Sequence, residues 1–222
     1  MTLTEKVARI FLNKKRFTGD FSEFSIFSNK ANNNNELKKW RIVTDQEIGG
    51  STKASLKIDE DNCLVFSGII SKKLPENNLK IKSSGYAGIF TKIDLTDLDL
   101  EKFNRISFRV KSDERTYSLA LLRSQEKQTM YKAIFASSPD QWETVDMPFL
   151  QFFRVYKGVV DMNLEEIKKE GIDGIGLIQS DKKEGPFEIK IQFIKVRNIK
   201  TPNSLDSRMI STTGTIIEPP NY

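Results

Sequence analysis

The stretch "WRIVTDQEIGGST", residues 40 to 52, holds the residue types and spacing of a small ligand-binding or catalytic loop. Asp45 stands four residues ahead of the Gly49-Gly50 pair, and Ser51 follows the pair directly. An acid and a hydroxyl beside two residues without Cβ atoms could serve as proton acceptor and nucleophile where another backbone approaches closely. The same residues also make a structural corner. Glycines permit a sharp turn, Asp45 can accept backbone N–H bonds, and Ser51 can cap or bridge. The structural reading accounts for every residue, whereas chemistry needs a second polar group delivered by another loop.

Other candidate groups are sparser. The chain contains no histidine, which removes the usual general base at neutral pH, every His-dependent triad, the common zinc sites and haem ligation by His. The single cysteine, Cys63, excludes an internal disulfide and opens the apolar run "CLVFSGII", where it reads as a buried filler. Any enzyme built here would have to draw activation from Lys, Asp or Glu. The string Asp94, Asp97, Asp99 and Glu101 could offer oxygen ligands to a cation but lacks an EF-hand pattern and reads as a solvated loop. Neither the P-loop spacing nor the dinucleotide fingerprint is present. No catalytic residue, metal or cofactor is expected.

Charge points outward rather than to a reaction. The formal net charge is +5 and the pI about 9.1, which fits attraction to nucleic acid, to an anionic membrane face, or residence in the mitochondrial matrix. Basic residues are not interleaved with aromatics in a recognised RNA-binding motif, so nucleic acid is not an expected partner. The opening "MTLTEKVARIFLNKKRF" places Leu3, Val7, Ile10 and Phe11 on one helical face, with Lys6, Arg9, Lys14, Lys15 and Arg16 largely elsewhere. Residues 1–20 are therefore expected to form a basic amphipathic segment that touches a membrane or a partner, or packs as a surface helix.

The elements that must position these residues are mostly short strands. Alternation or apolar runs predict strands at 24–28, 40–44, 53–58, 63–70, 79–82, 86–93, 105–111, 116–122, 130–135, 142–147, 174–180 and 187–196. A chain of 222 residues can use nearly all its length in one such sandwich. One internal helix is expected at "MNLEEIKKEGI", 162 to 172, with Asn163 as N-cap, Glu165-Glu166 as partners of the helix dipole and Gly171 at the end. The segment 200–222, with Pro202, Pro219 and Pro220, reads as an extended arm after a domain at 21–199. In "WETVDMPFLQFF", Pro148 ends a strand and Phe149, Phe152 and Phe153 read as core plug ahead of interface. "SSGYAGIF" and the Gly185-Pro186 turn favour architecture over chemistry.

Five stretches in order, "WRIVTDQEIGGS", "SSGYAGIF", "FNRISFRVKSDERTYSLAL", "MYKAIFASSPDQWETVDMPFLQFF" and "IDGIGLIQSDKKEGPFEIKIQFIKV", resemble the complex I intermediate-associated protein 30 family, also known as the NADH:ubiquinone oxidoreductase complex assembly factor 1 family. The resemblance implies a galactose-binding-domain-like β-sandwich of jelly-roll topology. It implies a non-enzymatic scaffold for assembly of the membrane arm of mitochondrial complex I, on the matrix side of the inner membrane. Its expected partners are membrane-arm subunits and other assembly factors, including an acyl-CoA dehydrogenase-like protein. Trp40, Asp45, Gly49, Gly50, Ser51, Gly85, Tyr86, Trp142, Pro148, Phe149, Gly185, Pro186 and Phe187 are its signature positions here, structural or partner-binding and not catalytic. Where the family usually has a Gly-Asp-Gly turn, this chain has Ser112-Asp113-Glu114. The leader is short for the family, which favours a retained docking helix over a removable signal. Alternatives are a resident complex I subunit and a carbohydrate- or small-ligand-binding module, the latter favoured by a tryptophan exposed at a loop end and opposed by burial of both.

Overall fold

Alternation along each strand sends successive side chains to opposite faces, so chain segments with one apolar face must pair and stack. The computed structural model describes residues 23–30, 35–74, 81, 83–93, 99–161 and 167–199. Its strands are β1 (Glu23–Ser28), β2 (Trp40–Thr44), β3 (Lys53–Ile58), β4 (Leu64–Ile70), β5 (Ala87–Lys92), β6 (Arg105–Ser112), β7 (Tyr117–Leu122), β8 (Thr129–Phe135), β9 (Glu143–Pro148), β10 (Phe153–Tyr156), β11 (Val159–Val160), β12 (Gly174–Gln179) and β13 (Gly185–Arg197). They build two antiparallel sheets. One runs β3-β4-β13-β6-β9 with β1 also on β13, and the other runs β11-β10-β8-β7-β12-β5-β2.

Strand β13 ties the first sheet together. Its first half pairs with β4, from Gly185↔Ile70 to Ile191↔Leu64, and its second half pairs with β1. A register shift between Ile191 and Phe193 against β6 marks the changeover, as a bulge does when a strand bends between neighbours. The core lies between the sheets, with Phe66, Phe108 and Ile189 from one and Ile89, Leu119 and Ile175 from the other. Phe66 meets Phe187 at 4.9 Å and Phe108 meets Phe135 at 4.8 Å between ring centroids, both near edge-on. Such pairs add about 0.5–1.5 kcal/mol each beyond area burial.

The two-sheet sandwich agrees with the sequence expectation, and the internal helix does not. Among the described residues the longest helical piece is a four-residue 3-10 turn, Asp45–Ile48. Residues 167–173 form an irregular strap with a turn at Glu170-Gly171 and Gly171 at φ 77°. Ile167 and Ile172 are both buried in the core. Five residues apart on a helix they would diverge by about 140°, so one helix cannot send both into the same floor. Side chains hold the strap instead: Arg123 Nη2 donates to the Lys168 carbonyl, and Lys169 Nζ donates to the Phe103 carbonyl at 2.8 Å. Glu165-Glu166, residues 1–20 with Lys6, Arg9, Lys14, Lys15 and Arg16, and the arm at 200–222 lie outside the described residues, as does most of the expected strand 79–82. No helix among the described residues is long and apolar enough to cross a membrane.

Candidate functional site

Asp45 is fully buried and begins the 3-10 turn that follows β2. Its Oδ1 accepts from the Thr52 amide at 2.9 Å, and its Oδ2 accepts from Thr52 Oγ1 at 2.8 Å and from the Gly85 amide at 2.6 Å. Thr52 Oγ1 in turn accepts from the Ser71 amide at 3.2 Å. The main chain of Asp45 is engaged as well: its N–H donates to the Tyr86 carbonyl at 3.2 Å and its carbonyl accepts from Gly50 at 2.8 Å. Gly49 holds a left-handed φ of 89°, which closes the turn at little steric cost. A Cβ on Gly50 would stand 2.3 Å from Asp45 Cγ. The glycine is what lets the chain pass over the carboxylate.

This geometry answers what the "DQEIGGST" loop can do. Both carboxylate oxygens are engaged by buried donors, two from Thr52 of the same loop and one from the Gly85 amide of another, and with no solvent exposure the group is committed to structure and not to a substrate proton. Asp45, Gly49, Gly50, Gly85 and Tyr86 come together as a corner; Ser51 is exposed and takes no part in the Asp45 bonds. The hydroxyl that matters is Thr52, one residue on. Burial raises the Tyr86 phenol, helped by Glu47 and Asp45, so it stays protonated.

A second hub abuts the first, since Ile70 pairs with Gly185 and the Lys72 amide donates to Glu184 Oε1 at 2.8 Å. There Arg115, nearly buried, forks onto Asp181 through Nε at 3.0 Å and Nη2 at 2.7 Å. Its Nη1 also donates to the carbonyls of Gly185 at 3.0 Å and Pro186 at 2.9 Å. Asp113 Oδ2 accepts from the Glu188 amide at 2.8 Å, while Oδ1 accepts from Tyr117 Oη and from the Arg115 amide, both at 3.0 Å. These side chains stand in for a neighbouring strand where β13 begins, before β6 joins it at Ile189. Pro186, which lacks an N–H, is tolerated there for that reason. None of residues 112–114 needs a positive φ, so the departure from Gly-Asp-Gly costs nothing sterically.

Burial raises the Asp181 carboxyl, but the Arg115 fork and the Lys183 amide outweigh it and hold the group below its ordinary value. Burial drives the Tyr117 phenol far up, with Asp113 adding to it. Sequence reasoning names Asp113 only as part of a departing turn and does not single out Arg115, Asp181 or Thr52. Arg115 and Asp181 lie 66 residues apart, and only the fold joins them.

The remaining expected positions scatter. Trp40 is buried edge-on to Phe27 at 6.4 Å, whereas Trp142 is 36% exposed with the Arg109 guanidinium 6.0 Å over its ring. Pro148 closes β9 opposite Arg105, Phe149 and Phe152 are core, and Phe153 is half-buried. Phe187 packs on Phe66 in the core. Cys63 is buried and its thiol is raised by that burial, then by Asp59 and Asp61, which makes it inert. Asp99 caps a 3-10 turn by accepting from the Glu101 amide, and Asp94 and Asp97 lie outside the described residues. Among the described residues no three His, Cys, Asp or Glu side chains converge as metal ligands.

The outward face of the seven-stranded sheet joins small residues, an aromatic ring and a lysine. Leu119, Leu121, Ile175 and Leu177 point into the core, so Ala120, Gly176 and their alternates point out. The Phe90 ring lies over this glycine floor: a Cβ on Gly176 would stand 2.2 Å from it, and one on Gly88 2.8 Å. Two strands away, Lys132 faces the same side, paired with Ala120 on β7 and Phe153 on β10.

A family model described as complex I intermediate-associated protein 30 matches residues 27–191, nearly the whole sandwich. The chain is 29% identical over 173 residues to "Complex I intermediate-associated protein 30, mitochondrial" of Mus musculus, covering 72% of this chain and 52% of that one. It is 28% identical over 191 residues to the Neurospora crassa protein of the same name, covering 71% and 68%. The chain thus spans about half the length of the mouse relative. Among solved structures, a family 11 carbohydrate-binding module from Clostridium thermocellum, in complex with a mixed-linked tetrasaccharide, superposes with a TM-score of 0.55 at 21% identity, covering 79% of this chain and 95% of the module. The same module type from the cellulase Lic26A-Cel5E gives 0.57 at 20%, covering 82% and 98%. At that identity the likeness is one of fold.

Proposed function

Because the chain belongs to the complex I intermediate-associated protein 30 family, we propose that it is a non-catalytic assembly protein of mitochondrial complex I. The observation that carries this reading is the family match over residues 27–191, which takes in both hubs and both sheets. The saturated state of Asp45 and the inert burial of Cys63 agree with it, because the two groups best placed for chemistry are committed to structure. The names of the relatives support a mitochondrial setting. In finer detail, the protein acts on the matrix side of the inner membrane, holds a membrane-arm intermediate together with other assembly factors, and leaves when the next module docks. The signature positions serve it by fixing loop geometry around Asp45 and Arg115, and the basic residues Lys6, Arg9, Lys14, Lys15 and Arg16 aid approach to the anionic membrane.

Depletion in the native cell tests the role. Loss of complete complex I with accumulation of a membrane-arm fragment is the expected outcome, and an unchanged complex I level contradicts it. A second reading, a carbohydrate- or small-ligand-binding module, is favoured by the half-exposed Trp142 and the aromatic-capped glycine floor beneath Phe90. Calorimetric titration with a mixed-linked glucan tetrasaccharide separates the two, because only this second reading expects heat of binding.

A further inference from the structure

Strand alternation gives the outward face of the seven-stranded sheet a shape as well as a composition. Ala120 is 0% and Val155 4% exposed although both point away from the core, so this part of the sheet is a trough and not an open plane. Its small residues are already covered, Ala120 with no accessible surface and Gly88 and Gly176 beneath the Phe90 ring, so an incoming segment meets the larger side chains of Phe90, Met130, Lys132 and Ile134. At the outward strand positions of this sheet the charged residues are Arg41, Lys92 and Lys132, with no carboxylate among them.

Lys132 is the unusual member. It makes no hydrogen bond or ion pair with any described residue, and its register neighbours are Ala120 and Phe153. Burial alone, with no charged group opposing or assisting it, lowers its ammonium from the ordinary lysine value. A desolvated cation without a counter-ion weakens the free protein, and an arriving carboxylate removes that penalty.

The occupant can be narrowed. Three strand spacings separate β8 from β5 and four separate it from β2, which places Lys132 roughly 14 Å from the Lys92 strand and 19 Å from the Arg41 strand. A phosphate or an anionic lipid surface is held by several clustered donors, and these three cations do not cluster. One recessed ammonium suits one carboxylate. Two residues along β8 on the same face, Ile134 is 58% exposed and Met130 half-buried, at the spacing an extended segment offers its own alternate side chains.

We infer that this trough docks an extended segment of a partner protein, in which an Asp or Glu carboxylate pairs with the Lys132 ammonium and flanking apolar side chains cover Ile134 and Met130. This rests on the assembly-protein reading above.

The test uses the full chain purified from its own mitochondria in mild detergent, with whatever complex I proteins accompany it. Treatment with a zero-length carbodiimide should join Lys132 to an Asp or Glu of an accompanying complex I subunit or assembly protein, identified by peptide sequencing. Acetic anhydride should label Lys132 slowly in the complex and quickly after dissociation. Lys132→Met should fold and weaken the partner roughly thirtyfold or more. If complex I proteins accompany the chain but Lys132 is neither crosslinked nor protected, this inference falls and the assembly reading stands. If none accompany it, both fall. If Lys132→Met loses only binding to cardiolipin-containing vesicles, the trough is a lipid site and the inference is overturned.

Discussion

Replacing Asp45 by Asn separates a structural corner from a reactive loop. The carboxamide keeps one acceptor oxygen and turns the other into an NH2 group. If the oxygen stays toward the Thr52 amide, the NH2 faces the Gly85 N–H, which sat 2.6 Å from the lost oxygen, and that buried donor loses its partner. In the other orientation the Thr52 amide, at 2.9 Å, is stranded instead. Thr52 Oγ1 can reverse and accept, so one backbone bond to a charged acceptor is lost and one donor is left unsatisfied. The two effects together amount to about 2–4 kcal/mol. For a chain of this size each kcal/mol moves Tm by about 2–4 °C, so Asp45→Asn should melt roughly 4–16 °C lower. Gly50→Ala should act in the same direction by pushing a methyl to 2.3 Å from the carboxylate carbon. Thermal unfolding followed by circular dichroism, with urea unfolding to check that the m-value is unchanged, measures both. An Asp45→Asn protein that melts within about 2 °C of the parent, a surface-like effect, would refute the corner and return Asp45 to the list of reactive groups.

The Arg115 hub and Lys132 both make stability rise with pH, the first because a favourable pairing is lost in acid and the second because a burial penalty is relieved in alkali. The folded Asp181 carboxyl lies below its ordinary value of 3.8, so its stabilising effect is complete above that value and is lost as pH falls through the lower folded pKa. Arg115→Met should remove most of that acid-dependent component and destabilise the protein already at pH 7 by about 3–5 kcal/mol, because the buried Asp181 side chain loses its counter-ion and keeps only the Lys183 amide; urea unfolding from pH 7 down to pH 3 measures it, and a parent-like slope would count against the hub. The folded Lys132 ammonium lies below its ordinary value of 10.5, so the unfolded chain binds more protons between the two values and stability rises with pH across that window. Lys132→Met should therefore raise Tm at pH 7 and show a shrinking advantage as pH climbs toward 10.5; a lower Tm at pH 7 would mean that the ammonium has a partner.

Much of the sandwich was legible because its strands alternate cleanly. The expected segments 40–44 and 53–58 coincide with β2 and β3, and Ile106, Phe108 and Val110 of β6 all face the core. Strands β10 and β11 were missed, being four and two residues long and following Pro148, Phe149 and Phe152 without a clear period. The helix at 162–172 failed because capping and charge signals looked local, while Ile167 and Ile172 answer to the core and Lys168 to Arg123. At the corner, the acid and glycines were readable from spacing, but the partner was Thr52 and not Ser51, and the Gly85 amide arrives from 40 residues away. Lys132 in "MYKAIF" reads as an ordinary solvent-side residue of an alternating strand; that its face is a trough depends on how Ala120 and Val155 are covered.

The assembly role itself is tested most directly by native-gel fractionation of solubilised mitochondria, with mass spectrometry following this chain against complex I subunits of both arms. The account predicts migration with partial complexes that contain membrane-arm subunits and lack the NADH-oxidising module. Migration only with the complete enzyme would make it a resident subunit, and absence from every complex I species would contradict the account.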